Sequence, residues 1–321
     1  MSNSGVPRIL LYCPVRERHK VLRAALDTHR RLKGVEYRIY VNDYQPDDPG
    51  REFAEACLIA AAAELPVLPT DPHVDTVILP SKVIDRVGPP PPYERTEQTH
   101  EWNQELMLRM GVIRDYGLDF AFRGAQILGG QYDAVLMVDS DLLLHPDTAL
   151  RLWAVGEPIV SEVFWSKWQP GGPWLPNVWD VHNYGFNGVD NILRLRTPGV
   201  YPVNGLGACT LIKKYPWREG ASYLPVPGLP WAGEDRHFCV RAAALGLRMV
   251  ADTTLPPFHV YRTEQLQEGW DWIMKEDCRP DYFAERWLTE QWEAEVRGIA
   301  HDVSRGASGA GAGSGGGAAM S

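Results

Sequence analysis

The sequence lacks long hydrophobic runs and an organised set of cysteines. No stretch approaches the roughly 18 consecutive apolar residues of a membrane span. The N-terminal MSNSGVPR has no basic-then-apolar signal pattern. The five cysteines are scattered and include no C-x-x-C pair, which indicates reduced thiols rather than a disulfide framework or a zinc site. We therefore expect a soluble cytoplasmic protein without a membrane span.

The sequence also lacks an excess of positive charge and a phosphate-binding glycine loop. Lys and Arg total 32 against 41 Asp and Glu, giving a net charge of −9. This balance argues against non-specific binding to nucleic acid or to an anionic membrane surface. No Gly-rich loop with a lysine follows the first apolar run, which counts against a nucleotidyltransferase. No internal repeat is visible.

What is present is an alternation of apolar runs and amphipathic segments, long enough for one large α/β domain or two small ones. Strands are predicted at 8–15, 37–41, 77–79, 134–138, 159–164, 203–213 and 247–251. Helices are predicted at 16–31, 51–65, 102–128, 149–155, 233–246 and 271–298. Pro146 is expected at the start of the fourth helix, with Asp147 in its first turn. This order predicts a parallel sheet with right-handed crossovers.

The most informative stretch is the continuous apolar run at 134–138, which predicts a central strand buried on both faces. Asp139 and Asp141 follow it at once, with the small Ser140 between them. Ligands of open α/β sheets bind at the carboxyl ends of the strands. Two carboxylates held close repel each other, so a cation or a proton between them is expected. The other interpretation is an ordinary turn after a strand.

Three other polar features lie near predicted strand ends or helix starts. Asp43, with Asp47, follows the second strand, where it can accept hydrogen bonds from a base or ribose, or simply form a turn. Glu234 and Asp235 begin a predicted helix, where they stabilise its dipole and where either can also serve as a general base. His259 can complete a divalent-metal site beside the two carboxylates, or be an ordinary loop histidine.

The order of these features resembles the glycosyltransferases of the GT-A fold, close to family 2 in the N-terminal half. The opening, PVRER followed by VLRAALDTHRRLKGVEYRIYVNDYQPD, is similar to that family's first strand, helix, second strand and acidic turn. Arg123 lies upstream of VDSD, about where the family has an arginine before its "DxD" strand. NGLGACTLIKK resembles the family's Gly-containing strand near the donor sugar, and GEDRHFCVRAAALG resembles its "ED" helix. The resemblance covers residues 8–262.

The resemblance implies an α/β protein of the GT-A fold, with a mixed, mostly parallel central sheet flanked by helices and a Rossmann-like nucleotide-binding half. Residues 1–145 would form the nucleotide-sugar-binding half of a single GT-A domain, and 146–303 the acceptor-binding half with aromatic loops and C-terminal helices. Residues 304–321, rich in Gly, Ala and Ser, are predicted to be a disordered tail. Some of the 12 Trp are expected to form an acceptor platform and others to fill the core.

The implied activity is metal-dependent transfer of a sugar from a nucleotide-diphosphate sugar to an acceptor hydroxyl on a glycan or small molecule. Asp141 and His259 would hold Mn²⁺ or Mg²⁺, with Asp139 on the ribose or at the metal. Asp235 would be the general base of an inverting reaction, with Glu234 as the second choice. The nucleotide and donor sugar would be bound by Pro14, Val15, Arg16, Asp43, Arg123, Asp139, Ser140 and Gly207.

Departures from the family pattern leave other assignments open. The acidic turn carries YQP where Gly and Ser are usual, and Gly124 follows Arg123 where Asn is usual. The RW pair at 286–287 lacks the preceding Gln of processive polysaccharide synthases, which favours a single-transfer enzyme. The alternatives are a retaining GT-A transferase, a metal-dependent nucleotidyltransferase, and a non-catalytic glycan- or nucleotide-binding module on the same fold.

Overall fold

The structure is a computed structural model, and it describes residues 7–44, 51–52, 76–78, 91, 103–124, 131–167, 174–179, 193–195, 197–229 and 233–274. Predictions for other residues lie outside this part of the chain. They include most of the helix predicted at 51–65, the helical residues beyond 274, the role of Asp47, and the C-terminal tail.

The described residues form fourteen strands, several of only two residues. They are β1 (Ile9–Val15), β2 (Val35–Asn42), β3 (Thr76–Ile78), β4 (Ala134–Met137), β5 (Leu142–Leu143), β6 (Ile159–Glu162), β7 (Trp165–Ser166), β8 (Leu175–Pro176), β9 (Val178–Trp179), β10 (Val200–Pro202), β11 (Gly205–Leu206), β12 (Thr210–Lys213), β13 (Met249–Asp252) and β14 (Phe258–His259).

Six α-helices lie in the described part of the chain. They are α1 (His19–His29), α2 (Gln104–Asp119), α3 (Thr148–Ala154), α4 (Lys214–Arg218), α5 (Glu234–Ala244) and α6 (Leu266–Ile273). The Asn103 side chain accepts a hydrogen bond from the Leu106 N–H and caps α2. A π-helical turn at Phe120–Gly124 continues α2 towards the segment that leads to β4.

Eight strands form the central sheet, in the order β10-β13-β6-β12-β4-β1-β2-β3. Four of the seven neighbouring pairs are parallel: β1 with β2, β1 with β4, β2 with β3, and β6 with β13. Every residue of β1 and β4 is buried, as expected of apolar strands covered on both faces. The predicted fold class is therefore confirmed: an α/β protein with a mixed, mostly parallel central sheet flanked by helices.

Two local predictions were wrong in detail. The segment 203–213 is two strands rather than one, because Gly205–Leu206 pairs with β9 while Thr210–Lys213 enters the central sheet antiparallel to both β4 and β6. Cys209, with φ of +64°, lies at the turn between them. The helix after the acidic stretch begins at Thr148, so Asp147 precedes the helix and is not in its first turn.

The core lies on both faces of this sheet. On one face the buried side chains of β1 and β4 pack with α2 and α5, and on the other they pack with α1 and α3. The sheet takes strands from both sides of residue 145, so the two predicted halves share one core. None of the helices described is long and apolar enough to cross a membrane.

Candidate functional site

One edge of the central sheet gathers most of the polar residues singled out by the sequence. β1, β2, β4 and β6 run in the same direction, so their carboxyl ends meet there. Asp43 follows β2 and Asp139 follows β4 at this edge. Because β12 is antiparallel, its beginning rather than its end reaches the same edge, which places Gly207 nearby. The strand ends therefore converge as ligand-binding edges of α/β sheets do.

Asp141 and His259 are brought into direct contact by a second, four-stranded sheet. In it β14 pairs antiparallel with β5, and the Val260 N–H donates to the Asp141 carbonyl over 2.9 Å. This register places His259 Nε2 3.0 Å from Asp141 Oδ2. His259 Nδ1 lies 2.8 Å from the hydroxyl of Ser166 in the adjacent strand β7. Both ring nitrogens therefore have fixed partners, and both members of the pair are buried.

This pair has the chemistry of part of a divalent-metal site. A carboxylate oxygen and an imidazole nitrogen are ligands that suit Mn²⁺. A serine hydroxyl can donate or accept, so Ser166 can accept from Nδ1–H and leave the lone pair of His259 Nε2 directed at a cation. Among the residues described, no group of three or more His, Cys, Asp or Glu side chains is arranged to hold a metal. The part of the chain that the structure describes thus supplies two suitable ligands rather than a complete site.

Asp139 turns away from this pair towards a buried cation, Arg114 of α2. Arg114 Nη2 donates to Asp139 Oδ1 over 2.7 Å, and Nη1 donates to Asp235 Oδ1 over 3.2 Å. Arg114 Nε also lies 3.3 Å from Glu234 Oε1. One guanidinium therefore joins the acid after β4 to the two acids that begin α5. We call these four residues the Arg114 cluster.

The start of α5 places its acids towards α2. Gly233 caps the helix with φ of +96°, a conformation that costs a glycine little and other residues more. Glu234 and Asp235 occupy the first turn, where the helix dipole stabilises their negative charge. The Glu234 carboxylate is buried, whereas 26% of the Asp235 side chain remains exposed at the ion pair. Asp235 is thus the more accessible of the two candidate bases.

Burial and mutual repulsion shift the protonation of this cluster. Burial raises the pKa of Asp235 to about 6, while the nearby Arg114 cation opposes the rise. Burial and the charge of Asp235 raise the pKa of Glu234 still further, against the same cation. A carboxylate with a raised pKa is a stronger base than an ordinary one, which suits the role expected of Asp235.

Asp43 is held by a second buried arginine of α2. Arg109 Nε and Nη2 donate to Asp43 Oδ1 over 2.9 Å and 2.6 Å, and both side chains are about 5% exposed. Burial raises the pKa of Asp43, and the Arg109 hydrogen bonds oppose that shift. The Asp43 N–H donates to the Val15 carbonyl over 2.9 Å, so the ends of β1 and β2 stay adjacent. The sequence predicted this position, but not its arginine partner.

The other predicted site residues are less directly connected to these pairs. Pro14 and Val15 end β1 within the sheet edge, and Arg16 Nη2 donates to the Pro91 carbonyl over 3.0 Å. Ser140 is buried between the two acids. The Gly207 carbonyl accepts a hydrogen bond from the Thr210 hydroxyl. Arg123 is exposed in the π-helical turn, with its guanidinium 5.4 Å from the Trp217 ring centroid.

Residues that the sequence analysis missed are Arg109, Arg114 and Ser166. The expected upstream arginine is present, but Arg114 rather than Arg123 contacts the acid after β4. Arg109 and Arg114 lie in a helix with mixed polarity. The helical periodicity of the sequence does not show that both side chains are buried. Their separation from Asp43 and Asp139 by 66 and 25 residues gave no local signal.

Comparisons with known proteins give a likeness of fold only. No protein-family model and no curated protein matches the chain. The mannosyltransferase PcManGT from Pyrobaculum calidifontis, solved in complex with GDP-Man and Mn²⁺, is similar with a TM-score of 0.46 and 13% identity, over 96% of this chain and 76% of that one. GalNAc-T7, solved with UDP, GalNAc and Mn²⁺, is similar with a TM-score of 0.46 and 12% identity. That likeness covers 82% of this chain and 45% of the GalNAc-T7 chain.

Both likenesses have a TM-score of 0.46, so neither identifies the fold family of this chain. Their low identities and TM-scores identify no acting residue of this chain. The site is therefore assigned from the contacts at the sheet edge.

Proposed function

We propose that this protein is a metal-dependent glycosyltransferase that moves a sugar from a nucleotide-diphosphate sugar to an acceptor hydroxyl with inversion. The observation that carries the proposal is the 3.0 Å contact between Asp141 and His259, beside an acidic cluster at the carboxyl edge of the sheet. A metal-ligating pair and a candidate base on neighbouring elements are the two parts that such a reaction needs.

Asp141 and His259 would hold the cation. The Asp141 carboxylate suits Mn²⁺ or Mg²⁺, and the His259 imidazole suits Mn²⁺. When bound, the cation stabilises the negative charge that develops on the departing diphosphate. Ser166 fixes the orientation of the His259 ring through Nδ1. Asp139 would bind the ribose or reach the cation through water.

The nucleotide would lie along the ends of β1 and β2. Pro14, Val15 and Arg16 form one wall of this region, and Asp43 forms the other. The bidentate contact with Arg109 fixes the Asp43 carboxylate, so its hydrogen-bonding direction is set before a base or ribose arrives. Pre-orientation of this kind lowers the entropic cost of donor binding.

Asp235 would accept the proton of the acceptor hydroxyl as that oxygen attacks the anomeric carbon. Its partial exposure supports this role over that of Glu234, whose carboxylate is buried. The proton passes to Asp235, the new glycosidic bond forms, and the sugar–diphosphate bond breaks. The nucleoside diphosphate then departs with the bonding electrons.

The acceptor would lie near the aromatic segment 174–179, which contains Trp174 and Trp179. Trp165 and Trp174 are buried and pack in the core, as expected of part of the Trp set. Trp179 is only partly buried, and its ring lies directly against Gly205. A ring supported on one face in this way is a suitable surface for a sugar or a flat aromatic acceptor.

The proposal is tested by incubating the protein with a panel of nucleotide sugars and acceptors, with and without Mn²⁺, while measuring released nucleoside diphosphate and binding. Metal-dependent release that increases with an acceptor is expected. Saturable donor binding without turnover, for every acceptor supplied, would instead establish a binding module.

Two variants separate the proposed roles. In Asp141→Asn, the addition of Mn²⁺ should no longer increase the release of nucleoside diphosphate, because one of the two ligands is lost. Asp235→Asn should retain donor binding and lose transfer by about 10²-fold or more, the usual contribution of a general base. Full transfer by Asp235→Asn would overturn the assignment of the base. The stereochemistry of the isolated product distinguishes inversion from retention.

A further inference from the structure

We propose that Arg114 is the positioning residue of the reaction, setting the place and the charge of Asp235 while tying it to Asp139. This inference rests on the proposed function, because it concerns the residue assigned as base. In the proposed reaction, Arg114 itself touches no reacting atom. It acts through the two carboxylates that its Nη atoms bind at 2.7 Å and 3.2 Å.

The first support is that this one guanidinium binds acids from two other structural elements. Asp139 belongs to the loop after β4, whereas Glu234 and Asp235 begin α5, and Arg114 lies in α2. Each side of the planar guanidinium faces a different carboxylate, and the Arg114 side chain is only 4% exposed. Arginine presents several donors in a fixed fork, so it can fix three acids at once where lysine cannot.

The second support is the packing that fixes Arg114. Its guanidinium carbon lies 5.6 Å from the Tyr223 ring centroid, and that ring stacks on Phe238 of α5 at 4.4 Å. One helical turn earlier, a Cβ on Gly111 would lie 2.8 Å from the Tyr223 carbonyl and 3.6 Å from Glu234 Cβ. The glycine lets the segment containing Tyr223 and the start of α5 approach α2 closely. The helix face that carries Arg114 is therefore held against the acids.

The third support is the charge balance of the Arg114 cluster. Three carboxylates surround one cation, so the cluster has an excess of negative charge even with Arg114 present. The groups that face Asp235 are Arg114 from α2, Asp139 from the loop after β4, Glu234 and Cys239 of α5 itself, and Tyr223. Of these, Arg114 favours the ionised form of Asp235, and Asp139 opposes it. Without the cation, Asp235 would hold its proton to higher pH, so a smaller fraction of it would be ionised at neutral pH.

The test compares Arg114→Met, Arg114→Lys and wild type, with Arg8→Lys as a matched control. Arg8 forms a 2.7 Å ion pair with Glu36 near the start of β1, at the opposite edge of the sheet. For each protein, kcat is measured against pH together with donor affinity in Mn²⁺ and thermal unfolding. We expect Arg114→Met to lower kcat at neutral pH by about 10²-fold, as misplacing a catalytic group does.

The shape of the pH profile distinguishes positioning from general support of the fold. The acid limb of the kcat profile should move to higher pH in Arg114→Met, and by a smaller amount in Arg114→Lys, which retains a cation. Arg8→Lys should keep the wild-type limb. A loss of rate without movement of the limb in either Arg114 variant would overturn the proposal.

A second measurement does not depend on activity. The Asp235 carboxyl is followed by carbon NMR of aspartate-labelled protein and assigned with Asp235→Asn. Its titration should occur at higher pH in Arg114→Met than in wild type. If wild type transfers no sugar but this shift is present, the proposed function fails, whereas the control of the Asp235 charge by Arg114 is established. An unchanged Asp235 titration overturns the inference whether or not the wild-type protein is active.

Discussion

His259 Nε2 lies 3.0 Å from Asp141 Oδ2, although 118 residues separate the two side chains. The contact depends on the pairing of β14 with β5, which begins one residue after Asp141. A short sheet outside the main one thus determines which histidine reaches the acidic stretch. Ser166, one strand further on, completes the arrangement.

Ser166→Ala should weaken Mn²⁺ binding by about 10–100-fold, the usual effect of removing the partner of a metal-bound histidine. The Nδ1 partner of His259 is lost, so the ring can rotate away from Asp141. Calorimetric titration with Mn²⁺ in the presence of nucleoside diphosphate measures this. Thr254→Ala, which removes a hydroxyl bound to Arg151 away from the pair, is the control and should bind as wild type does. Equal affinity in Ser166→Ala would contradict the ligand role of His259.

Asp43→Asn should destabilise the protein by about 3–5 kcal/mol, because it leaves the Arg109 cation buried without its carboxylate. The free energy of unfolding in urea checks this value. The double variant Asp43→Asn with Arg109→Met removes the unmatched charge and should recover much of the loss. Nucleotide affinity should fall in both variants, since each lacks the Asp43 carboxylate. Stability equal to wild type in the single variant would show that the ion pair is unimportant.

Glu162→Gln should make the protein's stability less dependent on pH. Glu162 is fully buried in β6 and lies beside Asp252 of β13, and burial raises its pKa well above the ordinary value. The native state therefore keeps a proton that the unfolded state loses above its ordinary pKa. Stability should fall as pH rises from that value towards the raised one, by up to about 1.4 kcal/mol per pH unit.

The midpoint of thermal unfolding, measured from pH 5 to pH 8 in Glu162→Gln and wild type, checks this sign. The variant should lose less stability than wild type over that range. Glu157→Gln, at a solvent-exposed ion pair with Arg248, is the matched control and should follow the wild-type curve. A steeper fall in Glu162→Gln than in wild type would contradict the prediction.

For wild type, kcat/KM should fall as pH is lowered through about 6, the pKa to which burial raises Asp235. A base must be ionised to accept the acceptor proton, so protonation below that pH removes it. A profile of kcat/KM at saturating Mn²⁺ measures the inflection in the free enzyme. An inflection near the ordinary aspartate value would argue against Asp235 as the base.

Gly205→Ala should destabilise the protein by about 1–3 kcal/mol, since overpacking forces neighbouring side chains to move. A Cβ at this position would lie 1.6 Å from the Trp179 ring. Urea unfolding and tryptophan fluorescence both report the change. Gly199→Ala is the control, because its Cβ would lie 3.3 Å from the far end of the Tyr201 side chain. An equal effect of the two variants would show that the Trp179 contact is unimportant.

The sequence predicted the elements that have strong local signals. The apolar runs around β1, β2 and β4 and the helix after Gly233 were found within a few residues. The structure brings Asp141 and His259 into contact, and their role as metal ligands stays a prediction. The partners of Asp43 and Asp139 were not predicted, because Arg109 and Arg114 act across helix–sheet packing. No local pattern in α2 shows which of its residues face the acids.

The direction of β12 was missed for a related reason. Three of its four residues are buried, as in other strands inside a sheet, so the sequence indicated a strand without its direction. The glycines before it were interpreted as part of the strand, whereas Gly205 belongs to a separate pair and Cys209 to the intervening turn. Direction follows from which partners the strand contacts, and those are set by the completed sheet.

The reversed course of β12 has a consequence for how this protein can diverge. The chain just before that strand places Gly207 near the carboxyl edge of the sheet, whereas the pairing of β12 involves only Thr210–Lys213. Exchange of the preceding segment would alter the molecules admitted there while leaving the strand's place secure. Related proteins could thus acquire new partners by changing this segment, as long as the contact between Gly205 and the Trp179 ring is kept.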